Sequence, residues 1–405
     1  MPLKKDKWLV VALLFLVGII NYADRTSITA VYSLLKTDLG FSDVGLGAIG
    51  SFFLWSYAIA SPISGHIGDR TNRARAVTWS LAAWSVITLL TGLVTAQWQL
   101  LSMRVLLGVA ESMYLPAAMA LVAEYHASGT RAKALSLLSI GQYLGMVVGA
   151  TLAGFLGDRF GWRSPLCVLG IAGILLAIVC FAILPRGVVT EVEAAPAVSF
   201  AKTARGLVRI PSFLVLAAAG VLSAIGAWIF INWLPLYFRE NFGMTLTSAA
   251  FLGSSLVSIT AAVSQVAGSA VSDVLAKKGL HRRMLMQAVL ILCAAPTLLV
   301  FVFTKNRLAI MAALVLYSAF RNAGDLNIIP LLCDLAGKNR MSIAIGMTNM
   351  LNTLAGGVGI LATGFLKSDF GLAPVFGGVA GILLLDALLL FAGYFLFLRK
   401  DLSLP

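Results

Sequence analysis

"GHIGDRTNRAR", residues 65–75, gathers one acid and three arginines (Asp69, Arg70, Arg73 and Arg75) between two apolar runs, 43–65 and 76–96. Each run is about twenty residues long, enough to cross a hydrocarbon core of roughly 30 Å. Charge collected between apolar runs of that length is the pattern of a membrane loop. A soluble chain distributes its charge more evenly.

Working outward, the same alternation recurs. Apolar runs fall at 8–32, 43–65, 76–96, 99–124, 132–156, 164–185, 211–236, 246–270, 283–304, 308–334, 341–366 and 373–398. Across 405 residues 60% are hydrophobic and 12% charged, about half the usual charged share of soluble domains. Mean hydropathy is +0.94. The expectation is an all-α membrane protein with twelve transmembrane helices. The first run carries Asp24 and Arg25 and lacks a small-residue cleavage pattern, so it reads as a span and not a removable leader.

The 30 Lys and Arg residues set the orientation. With the N-terminus inside, 20 fall in inner loops and tails, 7 in outer loops, and three (Arg25, Arg104, Arg321) within spans. That bias predicts cytoplasmic termini in a cell membrane. It also accounts for the net charge of +13 through attraction to the cytoplasmic leaflet, with no nucleic acid needed.

The polar stretch 185–211 is too charged to span. It divides the chain into a six-helix half over 1–185, a cytoplasmic linker over 186–210 and a second half over 211–405. The halves echo each other. "GFLGDRFG" from Gly154 matches "GFLKSDFG" from Gly364, an offset of 210 that also aligns Gln142 with Asn352 and Gly149 with Gly359. Glu111 stands five residues before Pro116, and Asp325 five before Pro330. Internal repeats of this kind build many secondary transporters. Two pseudo-symmetric halves around a central cavity are therefore expected.

The opening stretch resembles the signature loop of the major facilitator superfamily, Gly-x-x-x-Asp-Arg-x-Gly-Arg-Arg. Asn72 stands where Gly is usual, a residue that also tolerates a left-handed backbone. "NYADR" (21–25), "FLWSY" (53–57), "RVLLGVAES" (104–112), "GQYLG" (141–145), "NMLNTLAGG" (349–357), "NWLPLYF" (232–238) and "SDVLAKKG" (272–279) resemble the anion:cation symporter branch of sugar-acid and organic-anion transporters. Spinster-type lysolipid transporters share the Asp-Arg pair and the span-four Arg and Glu, so these alone do not separate the branches. The resemblance implies that Tyr22, Tyr57, Gln142 and Asn349 contact substrate. Antiporters of the superfamily carry Gly-Pro in span five; here that place is Gly149-Ala150, which argues against drug efflux.

An ionisable residue in a span costs at least about 2.5–3.5 kcal/mol, so it faces the protein interior beside a partner. Asp24 lies about 24 Å from the inner surface and Arg104, on a span running the other way, about 23 Å, at 1.5 Å per residue. Glu111 follows two turns later on the same face. Arg25 and Arg104 are expected to clamp an anion, because a guanidinium fork grips a carboxylate bidentately and stays charged. The alternative is a structural bridge to Asp24. Asp24, Glu111 and Asp325 are the expected proton carriers, and Arg321, four residues before Asp325, a further anion contact; the alternative is a structural pair of Arg321 with Asp325 along one face of span ten. Tyr22, Tyr57, Gln142, Asn232, Asn349 and Asn352 supply hydrogen bonds to substrate or, alternatively, between helices. Asp69, Arg70, Arg73 and Arg75 form a cytoplasmic gate. Asp386, alone in span twelve, reads as a structural hydrogen bond. Gly141, Gly145 and Gly149 read as helix-packing positions.

No cofactor is expected beyond protons as the coupling ion, and no metal site. The three histidines and four cysteines lack ligand spacing, and no phosphate-binding loop occurs. No nucleophile–base set points to an enzyme. The expected function is proton-coupled symport of a small organic anion by a monomer embedded in the bilayer. The rivals are a spinster-like lysolipid exporter and a non-transporting membrane sensor.

Overall fold

A computed structural model describes residues 7–184, 200–337, 340–398 and 401. Among these residues every regular element is a helix. Span one is Lys7–Ala30, two Asp43–Arg70, three Arg73–Thr91, five Ser128–Phe160 and six Arg163–Ile183. Span seven is Pro211–Phe242, eight Leu246–Lys277, nine Arg282–Thr297, eleven Met341–Phe370 and twelve Leu372–Gly393. Spans four and ten are each broken. Four runs as Gln97–Glu111 and Tyr114–Tyr125, ten as Arg307–Asp325 and Ile328–Ala336. The chain is an all-α membrane protein of twelve spans, ten of which qualify on length and apolarity alone. The other two, three and ten, carry Arg73 and Arg75, and Arg321 and Asp325, within their helices.

The two breaks share one cause. Pro116 and Pro330 each lie in the first turn of the second helix. Proline has no N–H to give the carbonyl four residues earlier, and its ring crowds that carbonyl. The helix therefore stops after Glu111 and after Asp325, and each carboxylate ends the first piece of its span. The spacing seen in sequence is thus a repeated structural device.

Two compact units emerge, residues 1–191 with 231–255, and 192–230 with 256–405. The first takes in residues 231–255, although the sequence boundary falls at 186–210. One reason is visible at Asp158 on span five. Its carboxylate accepts hydrogen bonds from the Leu246 and Thr247 backbone N–H groups at 3.0 and 2.9 Å and from the Thr247 hydroxyl at 2.8 Å, capping the start of span eight. Within the expected linker, residues 185–199 lie outside the described residues. Phe200–Val208 is a helix and not an extended tether, with Thr203 and Leu207, one turn apart, buried.

Span five packs on span one through glycine. A methyl group at Gly141 would lie 2.9 Å from the Phe15 carbonyl oxygen, at Gly145 it would meet the Ile19 backbone, and at Gly149 that of Ala23. Contacts repeat every four residues on both helices, which brings their backbones together. The second unit repeats the arrangement. Gly356 and Gly359 of span eleven abut Trp228 and Ile225 of span seven. Since span one carries Tyr22, Asp24 and Arg25, this packing fixes their height. Gly145→Leu is expected to cost more than the ~1–3 kcal/mol typical of overpacking, because the obstruction is backbone. A drop in melting temperature of the detergent-purified protein, larger than for Leu at open-sided Gly346, checks this.

Candidate functional site

Successive helix residues point about 100° apart, and this decides what Asp24 and Arg25 do. Asp24, 1% exposed, turns to span three, where the Thr88 hydroxyl donates to its Oδ2 at 3.1 Å. Arg25 turns to span four, where its Nε donates to Glu111 Oε2 at 2.8 Å. The two neighbours do not pair, so the alternative of a structural bridge from Arg25 to Asp24 is not what the structure has. The counter-charge for Arg25 comes from the carboxylate at the break in span four.

Arg25 is also surrounded by rings. Its guanidinium carbon lies 4.9 Å from the Tyr22 ring centre, 4.9 Å from Tyr57 and 5.1 Å from Phe53. The Arg104 guanidinium lies 4.8 Å from the same Phe53 ring, so Phe53 serves both cations. Cation–π contacts gain strength out of water. Arg104 is buried and hydrogen-bonds the Ile49 carbonyl at 3.4 Å. Among the described residues no carboxylate lies within salt-bridge reach of it. Asp24 and Glu111 both act on it through space, as the depth reckoning predicts. Asp24 Oδ1 is buried with no hydrogen-bond partner among the described residues, and Asn21 sits beside the Glu111 carboxylate. Asn232 accepts from the Tyr32 hydroxyl at 3.4 Å within the same unit. Gln142 is half-buried on span five, beside Gly141.

The second unit has its own buried pair. Arg321 Nη2 meets Asp325 Oδ2 at 2.9 Å. The Ser223 hydroxyl of span seven donates to that oxygen and accepts from Arg321 Nε at 3.0 Å, so Ser223 locks the pair. Asp386 is fully buried, and among the described residues neither carboxyl oxygen has a hydrogen-bond partner. The single structural hydrogen bond expected for it is therefore not what holds it there; its charged neighbours are Asp325 and Arg321. Asn349 is exposed on span eleven, while Asn352 abuts Gly220 of span seven. Neither hydrogen-bonds the Arg321–Asp325 pair.

At the expected gate, the side chains of Asp69 and Arg70 lie outside the described residues. Arg73 Nη1 reaches Glu124 Oε2 at 3.5 Å and the Ala120 carbonyl at 3.3 Å. In the second unit Arg283 Nη1 reaches Asp334 Oδ2 at 3.9 Å, each partner 210 residues after its counterpart. Arg75 is exposed. Asn72 is not left-handed as its place in the signature suggested. With φ −62° and ψ 118° its side chain accepts from Arg75 N–H at 3.1 Å and caps span three, a task for which Asn is favoured and which glycine has no side chain to perform.

Residues 14–360 match the family model of the Major Facilitator Superfamily. The chain belongs to that superfamily. This facilitator is 32% identical to the probable galactarate/D-glucarate transporter GudP of Bacillus subtilis over 308 residues, which are 67% of this chain and 66% of that one. It is 25% identical to the probable galactarate/D-glucarate transporter GarP of Escherichia coli over 96% of this chain and 95% of that one. The facilitator fold is also that of a bacterial homologue of the human lysosomal transporter Spinster, crystallised inward-facing and occupied. The TM-score is 0.83 at 20% identity over 97% of both chains. At that identity the likeness concerns the fold alone.

Three participants in the facilitator's buried clusters escaped the sequence reading: Phe53, Thr88 and Ser223. Phe53 had a signal, since it stands one helical turn before Tyr57. Thr88 and Ser223 had none, because a lone hydroxyl in an apolar run most often bonds its own helix. Removing one partner of a buried pair leaves the other charge uncompensated, at about 3–5 kcal/mol. Arg25→Ala should therefore destabilise strongly. Arg25→Ala combined with Glu111→Ala should recover part of the loss in a double-mutant cycle followed by thermal denaturation in detergent.

Proposed function

We propose that this facilitator takes up a small organic anion, a sugar acid or other carboxylate, together with a proton. The observation that carries the reading is Arg25, ringed by Tyr22, Phe53 and Tyr57 and neutralised by Glu111 across the break in span four. A substrate carboxylate and the Glu111 carboxylate compete for one guanidinium. Protonating Glu111 breaks its ion pair and frees Arg25 for substrate. Releasing that proton restores the competitor and expels the substrate. Arg104, lacking an ion-pair partner, adds positive potential and a second grip. Asp24, with a single hydroxyl donor, offers another proton position. Tyr22, Tyr57, Gln142 and Asn232 are available to substrate hydroxyls, and Arg321, Asn349 and Asn352 are the further substrate contacts that the sequence suggests. Asp325 would titrate against Arg321. Names of relatives that specify galactarate and D-glucarate favour a hydroxylated dicarboxylate. The excess of basic residues in alternate loops supports cytoplasmic termini. The repeated halves, 1–185 and 211–405, joined by the linker at 186–210, would give alternating access in a monomer. Asp69, Arg70, Arg73 and Arg75 would latch its cytoplasmic side.

Uptake into proteoliposomes under an imposed pH gradient tests this, with galactarate, glucarate, simple dicarboxylates and lysolipids in the panel. An inward proton gradient should accelerate sugar-acid uptake. Glu111→Gln should abolish that acceleration while substrate exchange persists. Arg25→Lys should raise KM by roughly tenfold or more, the worth of one charge-assisted hydrogen bond. Movement of lysolipid with no competing organic anion would overturn the proposal in favour of an amphiphile carrier.

A further inference from the structure

The second unit carries a groove of about 750 Å³ among spans eight, nine and ten, remote in composition from the ion pairs above. Gly268, Val271, Leu285, Met286, Phe320 and Ala323 give it an apolar lining. Small residues make it possible. A methyl group at Gly268 would lie 2.7 Å from the Leu326 side chain and 3.0 Å from Ala323, so spans eight and ten meet closely at the floor. Val271 and Val289 on its walls are 52% and 44% exposed. In a protein of this class such side chains face hydrocarbon and not water.

One end of the groove is different. His281 and Arg282 line it together with Tyr394, whose ring lies 5.8 Å from that of His281. The sequence there is "AKKGLHRR", residues 276–283. Arg283 is occupied by Asp273 and Asp334. Lys277, Lys278 and Arg282 are exposed, and among the described residues none is within salt-bridge reach of a carboxylate. A cleft that is oily along its length and cationic at its mouth matches one chemistry, an acyl chain joined to an anionic head.

We propose that this groove holds an anionic phospholipid of the surrounding membrane. Its phosphate is gripped by Arg282, with Lys277 and Lys278 adding attraction, and an acyl chain lies over Gly268 and Ala323. Arg suits the contact because its fork binds phosphate bidentately. Each basic residue near an anionic membrane surface contributes attraction worth about a fivefold change in affinity. The site is separate from the transported substrate, and it stands whatever that substrate is. Its consequence lies in span ten. Ala323 sits between Arg321 and Asp325 in the chain, so the lipid packs behind the turn that carries the second unit's ion pair. Bound lipid therefore braces that turn.

Native mass spectrometry of the full chain released from mixed micelles tests the site. Phosphatidylglycerol and phosphatidylcholine of equal chain length serve as probes, alongside glycerol 3-phosphate. Phosphatidylglycerol should be retained over phosphatidylcholine. Arg282→Gln should weaken that retention about fivefold, and Arg282→Lys less. Ala267→Trp, which fills the groove from an exposed position, should remove the lipid without changing the lipid-free melting temperature. Equal retention of both lipids, full retention by Arg282→Gln, or displacement by glycerol 3-phosphate alone would each overturn the proposal. So would a dimer, in lipid-free detergent, that Ala267→Trp dissociates.

Discussion

The interior of the first unit depends on one ion pair, Arg25 with Glu111, made where span four is broken. A charge inside a membrane must find its opposite or remain neutral. Here span one supplies the cation and span four the anion, and neither helix satisfies its charge alone. Close glycine packing of span five behind span one sets the height of Arg25. Pro116 ends the first piece of span four at the level of Glu111. Tyr22, Phe53 and Tyr57 occupy the sides of the guanidinium that Glu111 does not reach. Substitutions as far apart as Gly145 and Pro116 therefore bear on the same bond.

The second unit uses the same break differently. Asp325 ends the first piece of span ten as Glu111 does in span four, but its cation comes from its own helix, four residues back. Ser223 then bridges the two partners. A pair within one helix survives any movement of that helix, whereas a pair between helices is sensitive to it. The first unit's pair therefore ties two helices together, whereas the second unit's pair travels with one. Asp386, buried beside the second pair with neither oxygen hydrogen-bonded among the described residues, is the exception.

Much of this was legible in the sequence. Span number followed from hydropathy because twenty apolar residues have few other uses. The repeat was visible as an offset of 210, and the ion pairs Arg73–Glu124 and Arg283–Asp334 carry that offset into three dimensions. The depth reckoning set Arg104 level with Asp24 because helix rise is regular, but it put Glu111 two turns deeper, whereas the structure has Glu111 on Arg25. Rotation was harder to read. Asp24 and Arg25 are adjacent in the chain yet face different helices, and adjacency suggested a pair that helical geometry forbids. Asn72 misled in the same way: a residue able to adopt a left-handed backbone was used instead for its side-chain oxygen. Thr88 and Ser223 were invisible, since a hydroxyl gains its role only from the carboxylate that folding brings to it.

The glycine contacts between spans one and five have a mechanical consequence. Helices whose backbones touch at three successive levels cannot slide past one another without lifting apart, and they have no soft side chains between them to absorb a shift. Spans one and five thus form a stiff two-helix beam. Gln142 rides on one member, Tyr22 and Arg25 on the other, and their separation stays fixed however the rest of the protein rearranges. Whatever binds to them meets a caliper of set width.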